Sequence, residues 1–254
     1  MRPSLVLESP FAEDSSTLRF FEPPDIDRFS LWMRVCAGAY DKPFVLDTGP
    51  ERFLQFDLDA VQSAMRADDP DRLTLAYTRK MMSFLLFKPS PARILLLGLG
   101  GGSLAKFCHR RLPGSVMTAV EISGDVIALR EEFSVPADDV RFRVVHSDAA
   151  AYVAQASPCK DVILSDACDR RGIAPQLDCL EFYANARRCL RPGGIFVINL
   201  CGDPCSRGAH LLRLRQVFGD EIFTLQVRRN DNAIALAFNG RRPKLHPGRR
   251  PLKA

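Results

Sequence analysis

No stretch of this sequence reaches the ~18 consecutive apolar residues that a helix needs to cross a bilayer. The N-terminus, MRPSLVLESPFAED, turns acidic before a signal-like apolar core develops. No membrane partner is therefore expected, and the expected location is cytoplasmic. Paired cysteine spacings are also lacking. The eight cysteines are scattered, and the C-x3-C pair of Cys201 and Cys205 finds no second His or Cys pair to complete a zinc set. Reduced, mostly buried thiols and no bound metal are the expectation. The chain has no internal repeat, and its 254 residues accommodate one large core with a small accessory segment rather than two full domains. Net basic charge is scarce outside residues 241–254, RRPKLHPGRRPLKA, which hold six Lys/Arg against a chain total of +5. The rest of the chain is thus nearly neutral, nucleic acid is not expected as a partner, and 241–254 reads as a basic, disordered tail.

What is present falls into three parts. Residues 1–16 read as a flexible N-terminus. Residues 17–70 form a β-rich segment: short apolar pieces broken by Pro, Gly and Asp, with hairpin patterning around Asp47-Thr48-Gly49-Pro50. Residues 71–240 open with a linking helix, LTLAYTRKMMSFLLF, and then alternate strands with helices. Strands are predicted at 93–97, 116–121, 140–145, 161–165 and 194–200, with a helix over 206–218. Apolar strands alternating with helices imply a parallel sheet covered on both faces. Two more strands, 222–227 and 232–239, are joined by a connection too short for a helix and must pair antiparallel. The fold class is thus α/β: a Rossmann-like, doubly wound, mostly parallel seven-stranded sheet ending in an antiparallel hairpin, behind a small N-terminal β-rich domain.

In such sheets ligands bind at the carboxyl ends of the strands, and that is where the chemistry-bearing residues fall. The first of these strands ends in Gly98-Leu99-Gly100-Gly101-Gly102. Backbone free of side chains lets a ligand approach, and the N–H groups of the following helix can satisfy its polar atoms; a packing turn would also use glycine here. The next strand ends in Glu121-Ile122, with the acid placed to accept from ribose hydroxyls. A dinucleotide fingerprint would have Gly where Ser103 stands. The third ends in Asp148-Ala149, where the carboxylate can accept from the adenine amine, cap the following helix, or do both. The fourth delivers Asp166 and, three residues on, Asp169, which can orient a cationic amine and receive its proton. An Asp near pKa ~4 is a poor base for an amine unless burial raises it. Both acids also fit as caps of a surface loop.

Taken together, ILLLGLGGGSLAKF, TAVEIS, HSDAAAYV, DVILSDACD, LEFYANARRCLRPGGIFVINL and the upstream LDAVQSAM and LAYTRKMM resemble the spermidine synthase family of polyamine aminopropyltransferases. The resemblance spans about residues 44–239. It implies decarboxylated S-adenosylmethionine as aminopropyl donor, a small-molecule amine acceptor and a homodimer. It assigns Glu121 to the ribose, Asp148 to the adenine, and Asp166 and Asp169 to catalysis. Gln62 and Tyr77 fall on positions that close over the ligand, Tyr77 joining the catalytic set. Tyr183 matches a family tyrosine whose role the residues do not reveal. The expected nucleoside-binding set is Gln62, Gly98, Gly100, Gly101, Glu121, Ile122, Asp148, Ala149 and Asp166.

Three positions depart from the family pattern: an Asp in the glycine turn is Gly101, Tyr-His-Glu is Tyr77-Thr78-Arg79, and a Pro-rich stretch is Arg170-Arg171-Gly172. These changes imply less negative and more positive charge around the pocket, with Arg79 or Arg170 available to a carboxylate on donor or acceptor. Intact S-adenosylmethionine then becomes admissible as donor. A methyltransferase acting on a small molecule and a non-catalytic nucleoside-binding homologue stand as alternatives.

Overall fold

The computed structural model describes residues 4–9, 16–169, 172–227 and 232–245, Asp169 by its backbone. Five strands, β1 (Leu5–Glu8), β2 (Thr17–Phe20), β3 (Phe44–Asp47), β4 (Glu51–Gln55) and β5 (Val61–Arg66), form an antiparallel sheet in that order. Two expectations are corrected here. Residues 5–8, assigned to a flexible terminus, pair with β2 from Leu5↔Phe20 to Glu8↔Thr17. Residues 28–36, read as part of the hairpin pattern, form helix α1 (Arg28–Cys36). Asp27 caps α1 by accepting from the Phe29 and Ser30 amides, and Leu31 and Val35, four apart, bury one face of it.

The linking helix is shorter than its apolar pattern. Helix α2 (Ala76–Met81) tightens into a 3₁₀ turn over Met82–Leu86. From there the chain follows the expected alternation: β6 (Arg93–Leu97), α3 (Ser103–Arg111), β7 (Val116–Glu121), α4 (Gly124–Ala128), β8 (Phe142–His146), α5 (Ala149–Gln155) and β9 (Lys160–Ser165). A two-residue hairpin of β10 (Cys168–Asp169) and β11 (Gly172–Ile173) follows, then α6 (Leu180–Cys189), β12 (Leu190–Leu200), α7 (Pro204–Phe218), β13 (Phe223–Gln226) and β14 (Ala233–Phe238). The large sheet has seven strands in the order β13-β14-β12-β9-β6-β7-β8. β14 runs antiparallel to both β12 and β13, and the remaining neighbours are parallel. Residues 246–254, most of the predicted tail, lie outside the described residues, as do 228–231 between the last two strands.

Alternation within the strands decides which residues reach which face. Ile94 and Leu96 of β6 join Val162 and Leu164 of β9 in one apolar cluster, while Leu95, Leu97 and Ile163 join the cluster on the opposite face. Burial on both faces is why these strands are apolar throughout. Val45, Leu54 and Met65 of the N-terminal sheet belong to the first cluster, so the two sheets share a core. Each such side chain contributes roughly 1.5–3 kcal/mol on burial. Arg52 adds polar ties by donating to the Glu132 carbonyl at 2.8 Å, as does the Arg19–Glu132 ion pair at 2.8 Å.

Candidate active site

The chain leaves β6 in one direction toward β7 and β8, then returns to place β9 on the other side of β6. Where the direction reverses, the carboxyl ends of β6 and β9 part, and a crevice opens between them. The two turns nearly touch at its base. Gly98 has φ +89°, and a Cβ on it would stand 2.4 Å from the Asp166 carbonyl oxygen, so no other residue fits without backbone movement. The crevice widens into a cleft of about 1260 Å³ whose outer wall comes from the N-terminal sheet.

Glu121, at the end of β7, is buried, and backbone amides hold it: Leu99 at 2.8 Å and Gly100 at 3.5 Å donate to Oε2, and Ser123 at 2.9 Å to Oε1. Gly98 and Gly100 line the cleft beside it. Asp148, at the end of β8, both caps α5, accepting from Ala151 at 2.8 Å, and faces the cleft. The capping role read from the sequence is thus present in a side chain that also lines the cleft. Ile122, 58% exposed, and Ala149 complete this side of the cleft, and Gln62 reaches it from β5.

Asp166 ends β9 on the opposite side of the glycine turn. Its Oδ1 accepts from the Asn199 amide at 2.9 Å and its Oδ2 from the Tyr77 hydroxyl at 3.2 Å. Burial pushes its pKa up to about 7, against the opposing pull of these two hydrogen bonds. That removes the difficulty of an aspartate acting as base near neutral pH. The Tyr77 phenol is driven well above its usual value by burial, then by the charge and hydrogen bond of Asp166, and so stays a donor. Asn199 is fixed in turn: its Oδ1 accepts from Asn232 at 3.1 Å, which turns its NH2 toward Asp166. Neither asparagine was among the sequence-derived candidates. Asn199 lies within the buried run of β12 and Asn232 precedes β14, and only the sheet order brings them to Asp166.

Other expectations change. Gly101 is buried away from the cleft lining: a Cβ there would meet Ser63 Oγ at 2.7 Å and Phe133 Cδ1 at 3.0 Å. Its glycine is therefore required by the packing of β5 on the turn. Buried Lys106, lowered by desolvation to about 8, donates to the Phe133 carbonyl at 2.6 Å and braces that same contact. Arg79 does not reach the cleft either; its guanidinium donates to the Leu73 and Thr74 carbonyls at 2.6 and 2.7 Å. Tyr183 is fully buried behind the site and contacts His210 Nδ1 at 2.6 Å, while His210 and Arg213 both pair with Asp178. Among the described residues no positive charge is gained at the cleft. Charged side chains among the described lining residues are all acidic: Asp41, Glu121, Asp148, Asp166 and Asp203. The side chain of Asp169 and all of Arg170 and Arg171 lie outside the described residues.

The cysteines are a further correction. Cys168 and Cys201 are joined by a disulfide in the cleft wall, and of the other six only Cys108 and Cys189 are buried. Nothing in the spacing, 33 residues apart, could have signalled the pair; adjacency of β9 and β12 creates it.

Comparison with known proteins gives a consistent result. The sequence model of the spermine/spermidine synthase domain matches residues 74–218. The polyamine aminopropyltransferase of Chromobacterium violaceum is 36% identical over 207 residues, covering 81% of this chain and 79% of that protein. A probable spermidine synthase from Corynebacterium glutamicum shares the fold, with a TM-score of 0.65 at 20% identity over 92% of this chain and 79% of that one. Human methyltransferase-like protein 13, in complex with SAH, superposes with a TM-score of 0.58 at 27% identity, over 68% of this chain and 84% of that one.

Proposed function

This chain belongs to the spermine/spermidine synthase family, and from that premise we propose that it transfers an aminopropyl group from decarboxylated S-adenosylmethionine to a primary amine of a di- or polyamine. The observation that carries the reading is Asp166, buried, raised to about 7 and oriented through both oxygens at the floor of an acidic cleft. The acceptor's nitrogen lone pair attacks the methylene carbon bonded to the donor's sulfonium. The C–N bond forms as the C–S bond breaks, its electron pair passes to sulfur, and methylthioadenosine leaves uncharged. Asp166 orients the attacking amine and takes its proton, which then passes to water. An alkylammonium titrates near ~10, and each pH unit separating acid from base costs ~1.4 kcal/mol, so raising the carboxylate makes the transfer markedly less uphill.

Glu121 and Asp148 suit the ribose hydroxyls and adenine amine of an S-adenosyl donor, with Gly98, Gly100, Ile122, Ala149 and Gln62 around them. The acidic lining favours the decarboxylated form. A further carboxylate at about 6 Å from one of these acids, at an effective dielectric of about 20, costs roughly 3 kcal/mol, whereas an ammonium gains a similar amount. The acidity thus supplies what an Asp in the glycine turn does elsewhere in the resemblance. Asp169 completes the catalytic set in this reading. The enzyme is proposed to be a cytoplasmic homodimer.

Calorimetry with decarboxylated and intact S-adenosylmethionine, followed by chromatography of reactions containing a panel of diamines, tests the assignment. Tighter binding of the decarboxylated donor, with formation of methylthioadenosine and an N-aminopropyl amine, is expected. Preference for the intact donor with methylated product would overturn it.

A further inference from the structure

Asp166 meets Asn199 because β9 and β12 run parallel in register, Ser165 opposite Ile198. Two residues beyond Asp166 and Asn199, past the ends of β9 and β12, Cys168 and Cys201 carry that alignment on as a covalent bond, with Cα atoms 6.8 Å apart. Cys168 opens the β10–β11 hairpin, in which Cys168 pairs with Ile173 and Asp169 with Gly172. Gly172 rests against the other cysteine: a Cβ on it would stand 3.5 Å from the Cys201 carbonyl oxygen. Beyond Cys201 come Gly202, at φ +99°, and Asp203, the cap of α7 and itself one of the cleft acids. A hairpin with two paired positions is too short to hold its own shape. One disulfide therefore ties the segment containing Asp169 to the β12–α7 connection.

We propose that Cys168–Cys201 is a reversible cross-link that sets the affinity of the site for its amine acceptor. Closed, it fixes the hairpin against the β12–α7 connection; opened, it releases it. Identifying the acceptor as an amine rests on the aminopropyl-transfer reading. Opening requires a thiol reductant: a thiolate attacks one sulfur, the mixed disulfide is resolved by a second thiol, and two cysteine thiols and the reductant's own disulfide result. Both cysteines line the cleft and are partly exposed, so a small dithiol can reach them. Within a reducing compartment such bonds are usually transient or redox-sensing. Glu121 and Asp148 stand at the ends of β7 and β8, on the far side of β6 from the cross-link, so the donor half of the cleft is insulated from it.

The test compares air-oxidised and dithiothreitol-reduced protein, the thiol count of each being checked by mass. Reduction is expected to raise KM for the acceptor about tenfold, the scale of ordering one or two residues, while donor affinity changes less than about twofold. The double variant Cys168→Ser/Cys201→Ser should show the high KM with or without reductant. Amide hydrogen exchange at the paired residues Cys168, Asp169, Gly172 and Ile173 should quicken on reduction, a readout that needs no turnover. Equal KM in the two states, a double variant that still responds to dithiothreitol, or unchanged exchange overturns the proposal. Faster exchange without turnover on any amine would instead sink the aminopropyl reading and leave the release of the hairpin standing.

Discussion

Two carboxylates flank the glycine turn, and they are held in different ways. Glu121 accepts from amides of residues 99, 100 and 123, groups that the β6–α3 and β7–α4 turns supply whatever the side chains are. Asp166 accepts from Tyr77 and Asn199, side chains delivered by α2 and by the end of β12, with Asn232 behind them. Glu121 is thus held by the backbone of two neighbouring β–α turns, and Asp166 by side chains from separate parts of the fold. Backbone support positions a group rigidly; side-chain support, combined with burial, also adjusts its basicity.

Asp166→Asn breaks the comparison most severely. It keeps the shape and removes the base, so kcat should fall by about 10²–10⁴ while donor affinity stays within a few-fold. Stability gives a second readout with a definite sign. A carboxyl raised to about 7 in the folded protein binds its proton more tightly there than in the unfolded chain. It therefore stabilises at low pH, and that stability is lost as pH climbs from about 4 through about 7. In a series of thermal melts this decline should be present in the native protein and reduced in Asp166→Asn. An unchanged decline would show that Asp166 is not the group responsible.

Glu121→Gln attacks the other acid. Charge-assisted hydrogen bonds are worth roughly 1.5–3 kcal/mol, so donor affinity should weaken by about 10- to 100-fold by calorimetry. At saturating donor, kcat should hold within a few-fold; a collapse of kcat instead would mean that the two acids are not functionally separate.

The smallest effect sharpens the contrast. Asn232→Ala leaves Asp166 untouched but frees the Asn199 amide, whose hydrogen bond lowers the Asp166 pKa. The acidic limb of the kcat profile should move upward from about 7 by a fraction of a pH unit, with a loss of about threefold at neutral pH, on the scale of one weakened hydrogen bond. A profile that drops uniformly without moving would reduce Asn232 to a packing role.

Legibility in the sequence follows the same division. Strands β6 and β7 match their predicted limits, 93–97 and 116–121, because each is a buried apolar run closed by a glycine turn or an acid. Glu121 and Asp148 were readable for the same reason, as local ends of local elements. Helix α1 was missed because its Asp27 cap and its Leu31–Val35 spacing lie among prolines and aromatics that mimic hairpin pieces. The charge of Arg79 was misread because its partners are backbone: it turns back to the Leu73 and Thr74 carbonyls, and an acceptor common to every residue leaves no mark in the sequence.

By itself, then, the sequence determined the seven-stranded α/β sheet, the antiparallel final pair and the placing of Glu121 and Asp148 at the carboxyl ends of β7 and β8, since all of these arise from periodicity and turn chemistry within a few dozen residues. Tertiary structure alone decided the basicity of Asp166, its Asn199–Asn232 support, the filling of the space at Gly101 by Ser63 and the joining of Cys168 to Cys201. The reason is that burial and partnership are properties of neighbours, and these neighbours are dozens of residues apart until the strands are laid side by side.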